Sequence, residues 1–204
     1  MKKTVFRVLA VFEIFCILFS VNAFALKEEI VKEGNREYIN VTLESGDVVE
    51  IGEYSSLDES DDDSKLNVGS VTINATGDEP VVIGNFAFEA RFDQVESLTI
   101  NGNGKVVIGT GAFLNTRIKE LYLPQNVVFE DDTVAVFEDC WYLKSVEIGC
   151  DLCPYAFINC SIENVTFTED NDIKEIPKEA FLLGYFESFK LPKTIEIVRE
   201  GAFD

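Results

Sequence analysis

The sequence predicts a solenoid: a curved right-handed coil of short repeats, with one parallel β-strand ladder on its concave face and short irregular or helical return segments. Two recurring patterns that keep phase with each other predict it. The first is an Ala-Phe dipeptide, which ends VVIGNFAF at Phe88, VVIGTGAF at Phe113, CPYAF at Phe157, EIPKEAF at Phe181 and EIVREGAF at Phe203. A degenerate copy, TVAVF, ends at Phe137, so successive phenylalanines lie 25, 24, 20, 24 and 22 residues apart. The second is a set of apolar residues at i, i+3 and i+5 between the dipeptides. It reads Val95-Leu98-Ile100, Ile118-Leu121-Leu123, Leu143-Val146-Ile148, Ile162-Val165-Phe167 and Phe186-Phe189-Leu191, with a weaker early copy in Val68-Val71-Ile73.

Each element follows from these spacings. Apolar residues alternating over the last three positions of the second pattern mark a short strand with one buried face. A period of 20–25 residues is the leucine-rich range, with one strand and one return segment per coil. A single unit cannot bury its own apolar face, so units must stack into one continuous core. The fixed place of each Phe in its coil predicts rings stacked along that core rather than a ligand-binding strip. Gly84, Gly109 and Gly201, with Pro124, Pro154, Pro177 and Pro192, punctuate the turns.

The N-terminal part differs. Lys2, Lys3 and Arg7 precede an apolar run from Val8 to Val21, and Ala23-Phe24-Ala25 supplies a small-x-small cleavage pattern, so residues 1–25 read as a secretory leader with Leu26 as the first mature residue. Glu13 and Asn22 shorten the apolar run below the roughly 20 residues a membrane span needs. Residues 26–67 are expected to form a β cap carrying an acidic loop, and residues 68–204 to hold about six repeats, the last incomplete. In the cap, Tyr38–Leu43 and Val48–Ile51 read as strands joined in a hairpin by Ser45-Gly46-Asp47. The run Asp58 to Asp63 lacks the glycine and closing glutamate of a helix–loop–helix calcium site and reads as a solvated loop.

The pattern that begins at Ile108-Gly109, passes Ala112-Phe113 and continues as Ile118-Lys119-Glu120-Leu121-Tyr122-Leu123-Pro124 resembles the BspA-like leucine-rich repeat proteins over residues 68–204. The resemblance implies a surface or secreted adhesin or antigen that contacts host-cell or matrix proteins. The chain departs from the family pattern in its few repeats, its long acidic loop, and a C-terminal end without an anchor or capping repeat. That end, Glu200 to Asp204, supplies a return segment without its following strand, which predicts either a longer array or self-association through the uncapped end.

Composition narrows the chemistry. Among 204 residues, 47% are hydrophobic and 26% charged, an ordinary globular balance. Lys and Arg number 17 against 37 Asp and Glu, a formal charge of −20, and losing a leader with three cations and one anion makes it −22. Nucleic acid and anionic membrane surfaces are therefore poor partners. No histidine is present, which excludes Ser-His-Asp and Cys-His catalysis and imidazole-bound zinc.

Strand alternation places Ser97 and Thr99, Glu120 and Tyr122, Ser145 and Glu147, Asn164 and Thr166, and Ser188 and Lys190 on the concave side, with Tyr122 its aromatic anchor. Four Asn-x-Ser/Thr sequons, at Asn40, Asn74, Asn159 and Asn164, are glycan acceptors if the chain passes through a eukaryotic secretory pathway. Cys140 and Cys160 fall at equivalent points of adjacent coils, either as packed thiols or as a bridge. Cys150 and Cys153 form a C-x-x-C outside any βαβ setting, which suits a local disulfide better than a redox site. The sequence thus reads as a non-enzymatic protein-binding module without a cofactor. A second reading is a carbohydrate-active enzyme or calcium-dependent glycan binder built on Glu130-Asp131-Asp132 and Glu169-Asp170-Asp172.

Overall fold

The computed structural model describes residues 5–6, 27–33, 36–49, 67–89 and 95–204. The acidic run and nearly all of the expected leader lie outside the described residues. Five strands open the chain: β1 (Val5–Phe6), β2 (Lys27–Glu33), β3 (Arg36–Glu44), β4 (Val48–Val49) and β5 (Asn67–Ala75). Next come β6 (Val81–Ile83), β7 (Ser97–Gly102), β8 (Val106–Ile108), β9 (Glu120–Leu123) and β10 (Val127–Val128). The last five are β11 (Ser145–Ile148), β12 (Asn164–Phe167), β13 (Glu175–Ile176), β14 (Ser188–Phe189) and β15 (Ile197–Val198). Among the described residues there is no helix, and the return segments are built from turns.

The strands form four sheets in which every pairing from β3 onward is parallel. One has the order β1-β2-β3-β5-β7, a second β4-β6-β8-β10, a third β9-β11-β12-β14, and β13 pairs with β15. Pairing is in register between repeats: Val71 faces Leu98, and Leu121, Val146 and Val165 follow one another across β9, β11 and β12. β7 packs beside β9 without joining its sheet. The fold is thus a β-rich repeat with parallel strands and separate sheets.

The hairpin expected between β3 and β4 is not formed. β3 pairs antiparallel with β2 and parallel with β5, while β4 pairs with β6 in another sheet. The turn at Ser45-Gly46 carries the chain between sheets, as the loops after β5 and β7 do. The Asp47 carboxylate accepts the Glu44 N–H at 2.7 Å, and the Asp47 N–H returns to the Glu44 carbonyl, so this is a corner and not a reversal.

The repeat phenylalanines form one stack. Rings 88, 113, 137, 157, 181 and 203 lie 5.3, 5.6, 5.4, 5.4 and 5.6 Å apart, with interplanar angles of 13° or less. Phe88, Phe113, Phe137, Phe157 and Phe181 are essentially inaccessible. The second pattern is buried as its alternation requires: Ile118, Leu121 and Leu123, then Leu143, Val146 and Ile148, are core residues.

A backbone device holds the rings in line. The residue two before each ring has a left-handed conformation: Phe86, Gly111, Ala135, Tyr155, Glu179 and Gly201 have φ of 52–64°. The residue two after repeats it at Asn115, Asp139, Asn159 and Leu183, with φ of 58–59°. These kinks turn alternate N–H groups along the stack. Phe113 N–H donates to Val136 O at 3.0 Å, Phe137 to Ala156 at 3.0 Å, and Phe157 to Ala180 at 2.8 Å. Asn and Asp tolerate this conformation better than other side chains. At Gly111 a β-carbon would lie 2.5 Å from the Phe86 ring, so glycine there meets a steric demand as well.

Candidate functional site

The strand face is an exposed, in-register polar surface. Ser97 and Thr99 lie opposite Ser70 and Thr72, and Tyr122 continues through Glu147 to Thr166 along β9, β11 and β12. Beside that row run Glu120, Ser145, Asn164 and the Ser188 backbone. Ser97, Thr99, Glu120, Tyr122, Glu147, Asn164, Thr166 and Lys190 are exposed, and Ser145 is half-buried. Ser145 and Glu147 thus stand between two neighbouring strands, whereas Lys190 lies just past the end of β14.

Three of the four sequon asparagines have their side chains engaged. Asn40 Oδ1 accepts the Ser70 hydroxyl, Asn74 donates to Glu44 and accepts from Asn101, and Asn159 Nδ2 donates to Asp139 Oδ1 at 2.6 Å. Asn164 is exposed on the strand face, where an attached glycan would cover the polar row.

All four described cysteines are buried thiols. Cys140 Sγ donates to the Phe113 carbonyl at 3.3 Å and Cys160 Sγ to the Phe137 carbonyl at 3.0 Å, so each thiol satisfies a carbonyl of the preceding unit. The two thiols lie within hydrogen-bonding reach of each other. Burial pushes Cys160 well up, Cys150 to about 12 and Cys153 to about 11, with the Asp151 charge adding to the shift at Cys150. Redox-active C-x-x-C pairs need the opposite shift. Cys150, Cys153 and Cys160 therefore stay protonated and serve the packing, whereas at Cys140 burial is outweighed by the hydrogen bonds from Cys160 and Thr116, which pull the thiol down.

The two acidic loops line different grooves. Glu130, Asp131 and Asp132 line an open polar groove of about 370 Å³ with Asn85, Thr110 and Thr133. Asp172 lines another of about 500 Å³ with Asp151, Lys174 and Glu175, while Glu169 and Asp170 are exposed. Burial first, then the Asp172 and Glu175 charges, raise the Asp151 carboxyl. Glu175 is held below the ordinary range by its hydrogen bonds to Arg199. Among the described residues no group of three His, Cys, Asp or Glu is arranged to hold a metal ion, and no helix is long and apolar enough to cross a membrane.

Sequence reasoning missed one feature. Trp141 and Tyr142 follow Cys140 and are 57% and 45% exposed. With Asn115, Thr116 and Asp139 they line an apolar-walled cleft of about 250 Å³. Arg117 stacks over the Tyr142 ring at 4.6 Å and fixes its plane. The available signal was the chain's single tryptophan, placed next to a tyrosine just past a repeat Phe.

The family described as BspA type leucine-rich repeat region matches residues 64–153 and 134–204, in six copies. No curated protein and no solved structure matches the chain.

Proposed function

The chain belongs to the BspA-type leucine-rich repeat family, and from that premise we propose that it is an exported, non-enzymatic module that binds proteins of a cell surface or extracellular matrix through its strand face. In this reading residues 1–25 are removed as a leader, residues 26–67 cover the N-terminal end, and the sheets of residues 68–204 follow one curved solenoid. The family is generally associated with surface or secreted proteins, and leucine-rich repeats commonly mediate protein contacts. One observation carries the reading: the in-register row Tyr122, Glu147 and Thr166, polar and exposed on a rigid buried ladder. Such a face is pre-ordered, so a partner loses little entropy in immobilising it.

The test is surface-plasmon binding of the purified chain to a panel of matrix and cell-surface proteins. Tyr122→Ala should weaken any interaction by about tenfold or more. An absence of binding across the panel, or turnover of a polysaccharide by the chain, would sink the reading. A second contact surface accompanies it: Leu191, Ile197, Val198 and Phe203 are exposed beside the short strands β14 and β15, and two copies would cover them by pairing. Sedimentation that shows only monomer at high concentration overturns that part alone.

A further inference from the structure

We propose that the cleft formed by Asn115, Thr116, Asp139, Trp141 and Tyr142 binds one neutral pyranose ring of a glycan. Its size is the first reason. About 250 Å³ accommodates a single sugar ring and is far smaller than a protein footprint. Its chemistry is the second. Trp141 is the more exposed ring, and Arg117 covers one side of Tyr142; an open aromatic face carries negative quadrupole density, to which the polarised axial C–H bonds of a pyranose are attracted.

Polar groups stand where hydroxyls would lie. The left-handed kinks at Asn115 and Asp139 bring an amide and a carboxylate of successive units to the same wall. Asp139 Oδ1 already accepts from Asn159, which fixes the carboxylate, and a carboxylate has further lone pairs to accept sugar hydroxyls. Thr116 is buried at the cleft floor with its hydroxyl against Cys140 Sγ at 3.3 Å, so the floor is rigid. The formal charge of −20 selects against uronic, sialic and sulfated sugars, which leaves neutral hexoses and N-acetylhexosamines. This site lies in the return segments and does not depend on the strand-face reading.

Trp141 is the only tryptophan, so its fluorescence reports this cleft alone. The purified chain is titrated with lactose, cellobiose, mannobiose and N,N′-diacetylchitobiose up to about 20 mM, above the millimolar dissociation constants expected of one small site. The expected result is a saturable emission change with at least one disaccharide. Asp139→Asn, which keeps the left-handed preference and the tryptophan, should weaken that titration about tenfold. Calorimetry with Trp141→Ala, whose exposed side chain can be removed without opening the core, should show no heat of binding. An emission unchanged by all four sugars overturns the proposal. So does an emission that responds to a matrix protein and to none of the disaccharides, or sugar binding that survives Trp141→Ala.

Discussion

Two regions of the repeat array carry the same sequence pattern and different burial. Between Phe88 and Phe181 each ring and each strand residue at i+3 lies inside the core, with Phe113 at 0% and Val165 at 2% exposure. Past Phe186 the pattern continues, yet Phe203 is 37% and Leu191 40% exposed. Within one sheet the strands shorten from four residues in β9, β11 and β12 to two in β14. Burial in this fold therefore belongs to the neighbouring units and not to the unit itself, as expected when each coil contacts only the next.

Removing one ring from each region should give the largest difference between them. Phe113→Ala empties a site between two stacked rings and should cost about 3–5 kcal/mol. Phe203→Ala removes a ring stacked on Phe181 but partly open to water, and should cost less than about 1.5 kcal/mol. Urea denaturation of both variants checks this, and equal losses would show that the end unit is as fully packed as the middle.

A smaller effect separates how the two regions satisfy the ring carbonyls. In the middle, Cys140 Sγ serves the Phe113 carbonyl; toward the end, the Gly184 N–H serves the Phe181 carbonyl at 3.0 Å. Cys140→Ala should cost about 1–3 kcal/mol by leaving a buried acceptor unpaired. Cys140→Thr restores a donor and matches Thr116 in the preceding unit, so it should recover most of the loss. Equal denaturation midpoints for the two variants would show that the carbonyl finds another partner.

The kinks offer a gain instead of a loss. Leu183 occupies a left-handed position that Asn115, Asp139 and Asn159 fill elsewhere, and it is exposed. Leu183→Asn should stabilise by about 1 kcal/mol, and Ala135→Gly, in the middle, by a comparable or smaller amount. A lowered thermal midpoint in Leu183→Asn would mean that its side chain packs usefully despite its exposure.

The ring stack and the strand register were legible in the sequence because both are periodic, and periodicity survives without knowledge of partners. The alternation at Ile118, Leu121 and Leu123 alone implied which side is buried and which side carries Glu120 and Tyr122. The β3–β4 corner was not legible. A Ser-Gly-Asp turn between two apolar runs looks the same whether it reverses a chain or carries it to the next sheet, and only the long-range pairing of β3 with β5 decides. The Trp141 cleft was also hidden, since it joins Asn115 and Asp139 through kinks whose sequence requirement is loose enough to admit Leu183 at the same repeat position. The role of the thiols had no sequence signal beyond their equivalent positions.

The smallest effect concerns charge and has opposite signs in two places. Arg199 Nε and Nη2 each donate to Glu175 at 2.7 Å, which lowers the Glu175 carboxyl from its ordinary 4.5. A lowered carboxylate stabilises the fold above its unfolded pKa and loses that contribution as pH falls through its folded value. Arg199→Gln should therefore lower the urea midpoint near neutral pH, and the difference from the parent should shrink as pH falls through the folded Glu175 value. Asp151 runs the other way. Burial, with Asp172 and Glu175 nearby, raises its carboxyl above 3.8, so its ionised form opposes folding. That penalty is absent below the unfolded value and appears as pH rises through the folded one. Asp151→Asn should raise the midpoint near neutral pH and leave it unchanged at about pH 3. Both shifts should be small, because the Arg199 and Glu175 side chains keep 54% and 35% of their surface open to water and Asp151 is only partly withdrawn from it. If the two variants move the midpoint in the same direction at neutral pH, the assignment of a stabilising pair at β13–β15 and a partly desolvated carboxylate beside Cys150 fails for one of them, and the sign of the shift identifies which.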